Sequence, residues 1–161
     1  MKNLLTILMI LISFQGNSQT ENTILGDVLL SIEIDKVSIF VNKHYKGALN
    51  LWKSDSIPIA ISLAQWGLES GWGRSRIALE KCNLGGIKLR SGEYRTFKNH
   101  EEFYKAYRDV LTKDCYKEKN LQELQEWIDA LFHTECKYAT SKNYKSKMWD
   151  IIFYFNLDLL G

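Results

Sequence analysis

Proline is almost absent: the 161 residues hold one, Pro58, and no stretch rich in proline, glycine or serine tethers one part to another. A second domain on a linker is therefore not expected. Charge of one sign is scarce as well. Against 21 Lys and Arg stand 19 Asp and Glu, a formal charge of +2, too small a field to hold a nucleic acid by phosphate neutralisation. Nucleic acid is not an expected partner. Cys82, Cys115, Cys136, His44, His100 and His133 are few and scattered. The i, i+3 pair of His133 with Cys136 falls short of the roughly four ligands that zinc takes. No metal and no cofactor is expected.

Long apolar runs are lacking too, with one exception near the start. Leu4 to Phe14 follows the positive Lys2 and precedes the small Gly16 and Ser18, the pattern of a secretory signal peptide cleaved after Ser18. At about 11 residues the run is well short of the ~20 that span a bilayer. The later run from Met148 to Leu160 is broken by Asp150, Asn156 and Asp158. The expected organisation is a signal peptide over residues 1–18, an N-terminal segment over 19–36 and one domain over 37–161. Such a protein would be secreted or periplasmic, with no membrane span once the leader is removed.

What is present is the composition of an ordered globular chain, 45% hydrophobic and 25% charged. Its aromatic side chains suit a core, an interface or a carbohydrate cleft equally well. Val37, Phe40, Val41, Ala48, Leu51 and Trp52 recur near helical spacing and predict one or two helices over 37–52, with Gly47 as a break or bend. Ser54, Asp55 and Ser56 offer capping oxygens before Ile57 and Pro58. A helix is therefore expected from Ile57 to Glu69, buried along Ile57, Ala60, Ile61, Ala64 and Leu68. Ser70 to Gly73 should stop it, and Arg74 to Lys81 can form a short helix. Residues 84–97 alternate about Ser91 and Gly92 and predict a small hairpin. Asn99 with Glu102, and Asn120 with Glu123, make capping-box patterns ahead of helical stripes, and Tyr144 to Phe155 reads as a last helix. The fold class expected is mainly α, formally α+β.

Ala64 to Gly73, Ala-Gln-Trp-Gly-Leu-Glu-Ser-Gly-Trp-Gly, carries the chemistry. Gln65 and Glu69 are four apart and share a helix face, while the glycines that follow let the chain fall away and leave the carboxyl facing a cleft. Trp66, Leu68 and Trp72 are expected to surround it with apolar surface. An acid so placed is penalised in its charged form and keeps its proton nearer neutrality. Protonating a glycosidic oxygen needs such an acid. A glutamate at a helix end with its carboxylate in water is the plainer alternative.

Residues 57–88, with Ser-Leu-Ala-Gln, Leu-Glu-Ser-Gly-Trp-Gly and Asn-Leu-Gly-Gly-Ile-Lys, resemble the signature of glycoside hydrolase family 73, the peptidoglycan-cleaving glucosaminidase domains. Phe97 to Leu111, and Lys137-Tyr138-Ala139-Thr140 through Tyr144, resemble it in order and spacing; the likeness spans about Phe40 to Ile152. The resemblance implies a single lysozyme-like helical domain with a small β-hairpin beside the cleft. It implies that Glu69 is the catalytic acid and that Tyr138 lines the cleft near it. Gln65, Trp72 and Asn83 would shape the site, with Thr140 and Tyr144 as further substrate-binding residues. The implied partner is the peptidoglycan glycan strand.

There are departures from the family pattern. Cys82, Asn83 and Gly85 stand where the family has two asparagines and a phenylalanine, Lys137 replaces a glycine, and Ser141 and Lys142 replace Asp-Pro. The hairpin lobe, which often carries a second carboxylate, is compressed to about residues 89–96, and Glu93 is its only acid. Either Glu93 is the second catalytic acid, or Glu69 works alone with the substrate's 2-acetamido group attacking the anomeric carbon. Among the cysteines, Cys82 with Cys136 is the better pair for a disulfide. The expected activity is that of an endo-β-N-acetylglucosaminidase. A muramidase or lytic transglycosylase using Glu69 alone is the enzymic alternative, and a catalytically inactive wall-binding module the non-enzymic one.

Overall fold

The computed structural model describes residues 18–117, 121–133, 138–139, 141 and 143–160, and the side chains of these except 18–25, 115, 117 and 133. Most of the expected leader, together with Asn120, Cys136, Lys137, Thr140 and Lys142, lies outside the described residues. The chain divides into two compact units, Met1–Asp35 and Lys36–Gly161. In the first, the described residues are helical and expose Val28, Leu29, Leu30, Ile32 and Ile34. No helix among the described residues is long and apolar enough to cross a membrane.

The second unit is built from helices. The end of α1 (Ser18–Asp55) is followed by α2 (Ile59–Ser70), α3 (Arg76–Lys81), α4 (His100–Leu111), the single turn α5 (Asp114–Lys117), α6 (Leu124–His133), α7 (Tyr144–Tyr154) and a 3₁₀ turn, Leu157–Leu160. Helix α1 runs unbroken through Gly47. That glycine serves close packing instead, since a Cβ there would fall within the Tyr104 ring. Helix α2 is the axis of the unit. From Ile59 to Gly67 every residue is buried, so α2 is enclosed on all sides rather than along the one stripe read from the sequence, and α6, α7 and the 3₁₀ turn pack against it.

Trp66 sits at the centre, fully buried, stacked on Tyr104 with ring centroids 4.9 Å apart and edge-on to Phe103 and Tyr107. The helix ends show which local signals hold. Asn99 Oδ1 accepts from the Glu102 N–H at 3.0 Å, and Glu102 Oε2 accepts from the Lys98 N–H at 2.6 Å, a capping box displaced by one residue. Ser75 caps α3. Ser54, Asp55 and Ser56 do not cap α2, whose first turn follows Pro58 without a side-chain cap. Ser54 Oγ instead donates to Asn50 O and Asp55 Oδ2, closing the end of α1. Before α6 the carboxylate of Glu126 accepts the N–H groups of Gln122 and Glu123.

The expected hairpin forms no strand among the described residues. It is a tight loop closed by one antiparallel bridge, Lys88 with Tyr94. The reason is local: the Asn83 amide donates to Ile87 O and Arg95 O, each at 2.8 Å, and Asn83 Oδ1 accepts the Ile87 N–H at 3.0 Å. The backbone pairs across the loop only where Arg95 N–H donates to Ile87 O at 2.9 Å and Leu89 N–H to Glu93 O at 2.8 Å, and the Asn83 side chain clamps both flanks at its base. Cys82 is a free thiol, held at the left-handed C-terminus of α3 and packed against the core; Cys136, the partner expected for it, lies outside the described residues.

One buried group makes the fold pH-dependent. His44 on α1 is 2% exposed, with Nδ1 2.7 Å from the Tyr104 hydroxyl and the His100 ring edge-on at 4.8 Å. Burial, helped by His100 and Lys43, pushes its pKa down to about 3. Between that value and the ordinary 6.5 the unfolded chain binds a proton that the folded chain refuses, so stability falls as the pH drops through this window. Between pH 6.5 and pH 4 the expected loss is roughly 3 kcal/mol. His100, shifted in the same direction by burial, adds to it. Urea midpoints measured across that range should fall steeply for the parent and less for His44→Gln; equal slopes would refute the assignment.

Candidate active site

Glu69 owes its position to the turn that follows it. The backbone N–H groups of Gly71 and Trp72 both reach Gly67 O, Gly71 adopts φ 56°, and the Gly73 N–H donates to Ser70 Oγ at 2.7 Å. This left-handed stop reverses the chain two residues beyond the glutamate. Its side chain therefore projects from the last turn of a buried helix into an open cleft of about 520 Å³. The walls are Gly85, Gly86, Ile87, Lys88 and Tyr94 from the loop, Val110 and Lys113 from the end of α4 and beyond, and Tyr138, Ala139, Ser141 and Tyr144. Gly86, at φ 64°, closes on the carboxyl: a Cβ there would stand 3.2 Å from Glu69 Oε2.

The carboxyl is open to solvent on the cleft side and enclosed behind. Loss of hydration raises its pKa above the ordinary carboxylate value; a hydrogen bond from Tyr144 and the charge of Lys88 oppose the shift without cancelling it. Behind Glu69 runs a chain of hydrogen bonds from the core. The Tyr107 hydroxyl donates to Gln65 Oε1, and Gln65 Nε2 donates to the Tyr144 hydroxyl at 3.0 Å. Tyr144 in turn donates to the Glu69 carboxylate. Gln65 is fully buried and so is Tyr107, so each polar group on this path depends on its neighbour. Burial raises the pKa of Tyr107, Tyr138 and Tyr144, so all three stay protonated at working pH and remain hydrogen-bond donors.

The residues singled out from the sequence separate into distinct places. Glu69, Tyr138 and Tyr144 meet in the cleft. Gln65 lies behind it, on the path just described. Asn83 is buried and staples the loop instead of facing the groove. Trp72 is not a wall of the cleft: its ring packs on Gly67 and lies edge-on to Phe40 and Phe155. Trp66 is in the core, so the enclosure of Glu69 comes from Ile87, Val110 and the tyrosines rather than from tryptophan. Glu93 is exposed in the loop and is not among the cleft-lining residues. The Tyr138 hydroxyl donates to Gly85 O, tying the segment after α6 to the loop. Thr140 lies outside the described residues.

Sequence reasoning did not reach Tyr107, Tyr94, Lys88 and Lys113. Tyr107 reads as one more member of the apolar stripe of α4, and nothing local couples it to a glutamine 42 positions earlier. Among the described residues no cluster of His, Cys, Asp and Glu is arranged to hold a metal ion.

A mostly helical domain that presents one partly enclosed carboxyl to a groove walled by tyrosines has the build of a glycoside hydrolase. The chain belongs to the glucosaminidase family, described as mannosyl-glycoprotein endo-beta-N-acetylglucosaminidase, which matches residues 45–157. Two solved structures share the fold. The catalytic domain of the autolysin Auto from Listeria monocytogenes superimposes with a TM-score of 0.66 at 22% identity, covering 78% of this chain and 88% of that one. A peptidoglycan hydrolase from Sphingomonas sp. A1 gives a TM-score of 0.63 at 24% identity, covering 76% and 91%. No curated protein sequence matches the chain.

Proposed function

We propose that this enzyme hydrolyses the glycan strand of peptidoglycan on the reducing side of N-acetylglucosamine, with Glu69 as general acid. The observation that carries the reading is the carboxyl itself: it is enclosed behind and open on one side, its pKa is raised, and it accepts a tyrosine hydroxyl at the edge of a cleft of about 520 Å³. The autolysin and the peptidoglycan hydrolase that share the fold support wall glycan as the substrate.

In this mechanism the glycosidic oxygen takes the proton of Glu69 as the C1–O bond lengthens. Glu93 stands outside the groove, so the second group comes from the substrate. The carbonyl oxygen of its 2-acetamido group bonds to C1, forming a bicyclic oxazolinium. Water, deprotonated by the Glu69 carboxylate, then opens that ring and restores the acid. Gly86 leaves space against the carboxyl, and Tyr138 fixes the loop that carries it. Residues 1–18 act as a cleaved leader and 37–161 as the catalytic domain, placing the enzyme outside the cytoplasm, where its substrate lies.

Mass spectrometry of digested wall tests the reading. Reducing N-acetylglucosamine ends, with the β configuration retained at first release, are the expected products. Reducing muramic acid ends would make the enzyme a muramidase, and anhydromuramic ends a lytic transglycosylase.

A further inference from the structure

A cleft that must keep one carboxyl protonated is lined by two cations. Lys88 comes from the loop and Lys113 from the turn after α4, and Glu69 is the one carboxylic acid among the described residues of the lining. Lys88 Nζ sits 5.1 Å from the centroid of the Tyr94 ring, itself a wall of the cleft, so a cation–π contact holds the ammonium in the groove. Among the described residues neither lysine forms an ion pair with a carboxylate.

For acid catalysis alone, a cation beside Glu69 is a disadvantage, because it favours the deprotonated form. A neutral glycan would gain little from either charge. We infer that Lys88 and Lys113 form an anion subsite that receives carboxylates carried by the substituents of the strand, so that the enzyme selects a muramyl glycan over a neutral chitin-like one. This rests on the peptidoglycan reading above and narrows it. The shared chemistry is a carboxylate, from the stem peptide where it is attached or from the lactyl ether where the stem has been removed.

The arrangement also couples recognition to chemistry. The titratable and charged groups that line the cleft with Glu69 are Lys88 and Tyr94 from the loop, Lys113 beyond α4, Tyr138 after α6 and Tyr144 on α7, with Tyr107 behind, and Lys88 is the cation whose charge acts on the carboxyl. A substrate carboxylate docked on the lysines offsets the charge of Lys88 at Glu69. Glu69 then holds its proton to higher pH in the complex than in the free enzyme, and kcat should lose its alkaline limb at higher pH than kcat/KM. A neutral substrate lacks that contribution.

The test compares the parent with Lys88→Gln, Lys113→Gln, the double variant and the Lys→Arg pair on three substrates. These are wall strands with stem peptides, the same strands stripped by an amidase to leave lactyl carboxylates, and N-acetylchito-oligosaccharide, read as a competitive Ki where it is not turned over. Each Gln variant should raise KM on wall strands by about 3- to 10-fold at low salt, with a smaller change in kcat, and salt should erase much of the difference. The Arg pair should retain most of the affinity, and binding of the chito-oligosaccharide should stay within about 2-fold of the parent. A lysine effect on stem-bearing strands identifies the stem carboxylates, because their lactyl groups are amides; an effect on the stripped strands identifies the lactyl carboxylate that the amidase frees. An unchanged KM on both the stem-bearing and the stripped strands in the double variant, or an equal loss on the neutral oligosaccharide, overturns the subsite while leaving the hydrolase reading intact. Failure of the parent itself to cut any wall strand overturns both.

Discussion

Glu69→Gln should abolish hydrolysis while leaving the protein folded and, at neutral pH and above, more stable than the parent. The amide keeps nearly the same shape and can still accept the Tyr144 hydroxyl, so the groove survives. What it lacks is a proton to give. Loss of a positioned general acid lowers kcat by about 10²- to 10⁴-fold, and a loss of about 10³ corresponds to roughly 4 kcal/mol of transition-state stabilisation. The stability gain follows from the sign of the pKa shift. Partial enclosure raises the pKa of Glu69, so the folded state binds a proton more tightly than the unfolded chain, and the fold is penalised as pH rises past the unfolded value and the group ionises. A neutral amide removes that penalty. The same shift places the alkaline limb of the parent's kcat/KM above the ordinary carboxylate range. Zymograms, thermal melts at several pH values and a pH–rate profile read all of this. A Gln variant that clears wall material as fast as the parent would remove Glu69 from the mechanism.

How much of this was legible beforehand depends on how far apart the cooperating residues lie. The stop after α2 is readable because Gly67 to Gly73 form it among themselves, and the αL turn at Gly71 needs no partner from elsewhere in the chain. Asn99 and Glu102 were readable for the same reason. Ser54 to Ser56 misled because their oxygens serve the end of α1 instead of the start of α2, a choice made by where the two helices meet. Asn83 illustrates a different limit. Alternating residues argue for strands, but the loop pairs its backbone only between Ile87 and Arg95 and between Leu89 and Glu93, and a single buried amide braces its base. The resemblance implies that Trp72 shapes the site, and its place three residues after Glu69 suits apolar surface around the acid. The turn at Gly71 sends it to the other side of the helix end, against Phe40 and Phe155.

Gln65→Leu is the substitution expected to damage the fold most for its size, because it breaks the path behind Glu69 at its middle. Leucine has nearly the volume of glutamine and suits a buried helix, so packing alone predicts a small effect. The hydrogen bonds predict otherwise. Tyr107, wholly buried, loses the acceptor for its hydroxyl, and Tyr144, 6% exposed, loses the donor that orients its own. Each orphaned group costs about 1–3 kcal/mol, less what the apolar leucine recovers, so a net loss of about 2–4 kcal/mol is expected in urea melts. Adding Tyr107→Phe should then recover part of that loss, because removing both partners of a buried pair is far less harmful than removing one. Activity should not recover with it. Tyr144 remains unsupported, its hydrogen bond to Glu69 is weakened, and kcat stays down by about 10-fold with the alkaline limb shifted upward, since the ionised carboxylate has lost a donor. A merely structural glutamine would let stability and activity return together in the double variant. That outcome would confine the path to the core and detach it from the chemistry.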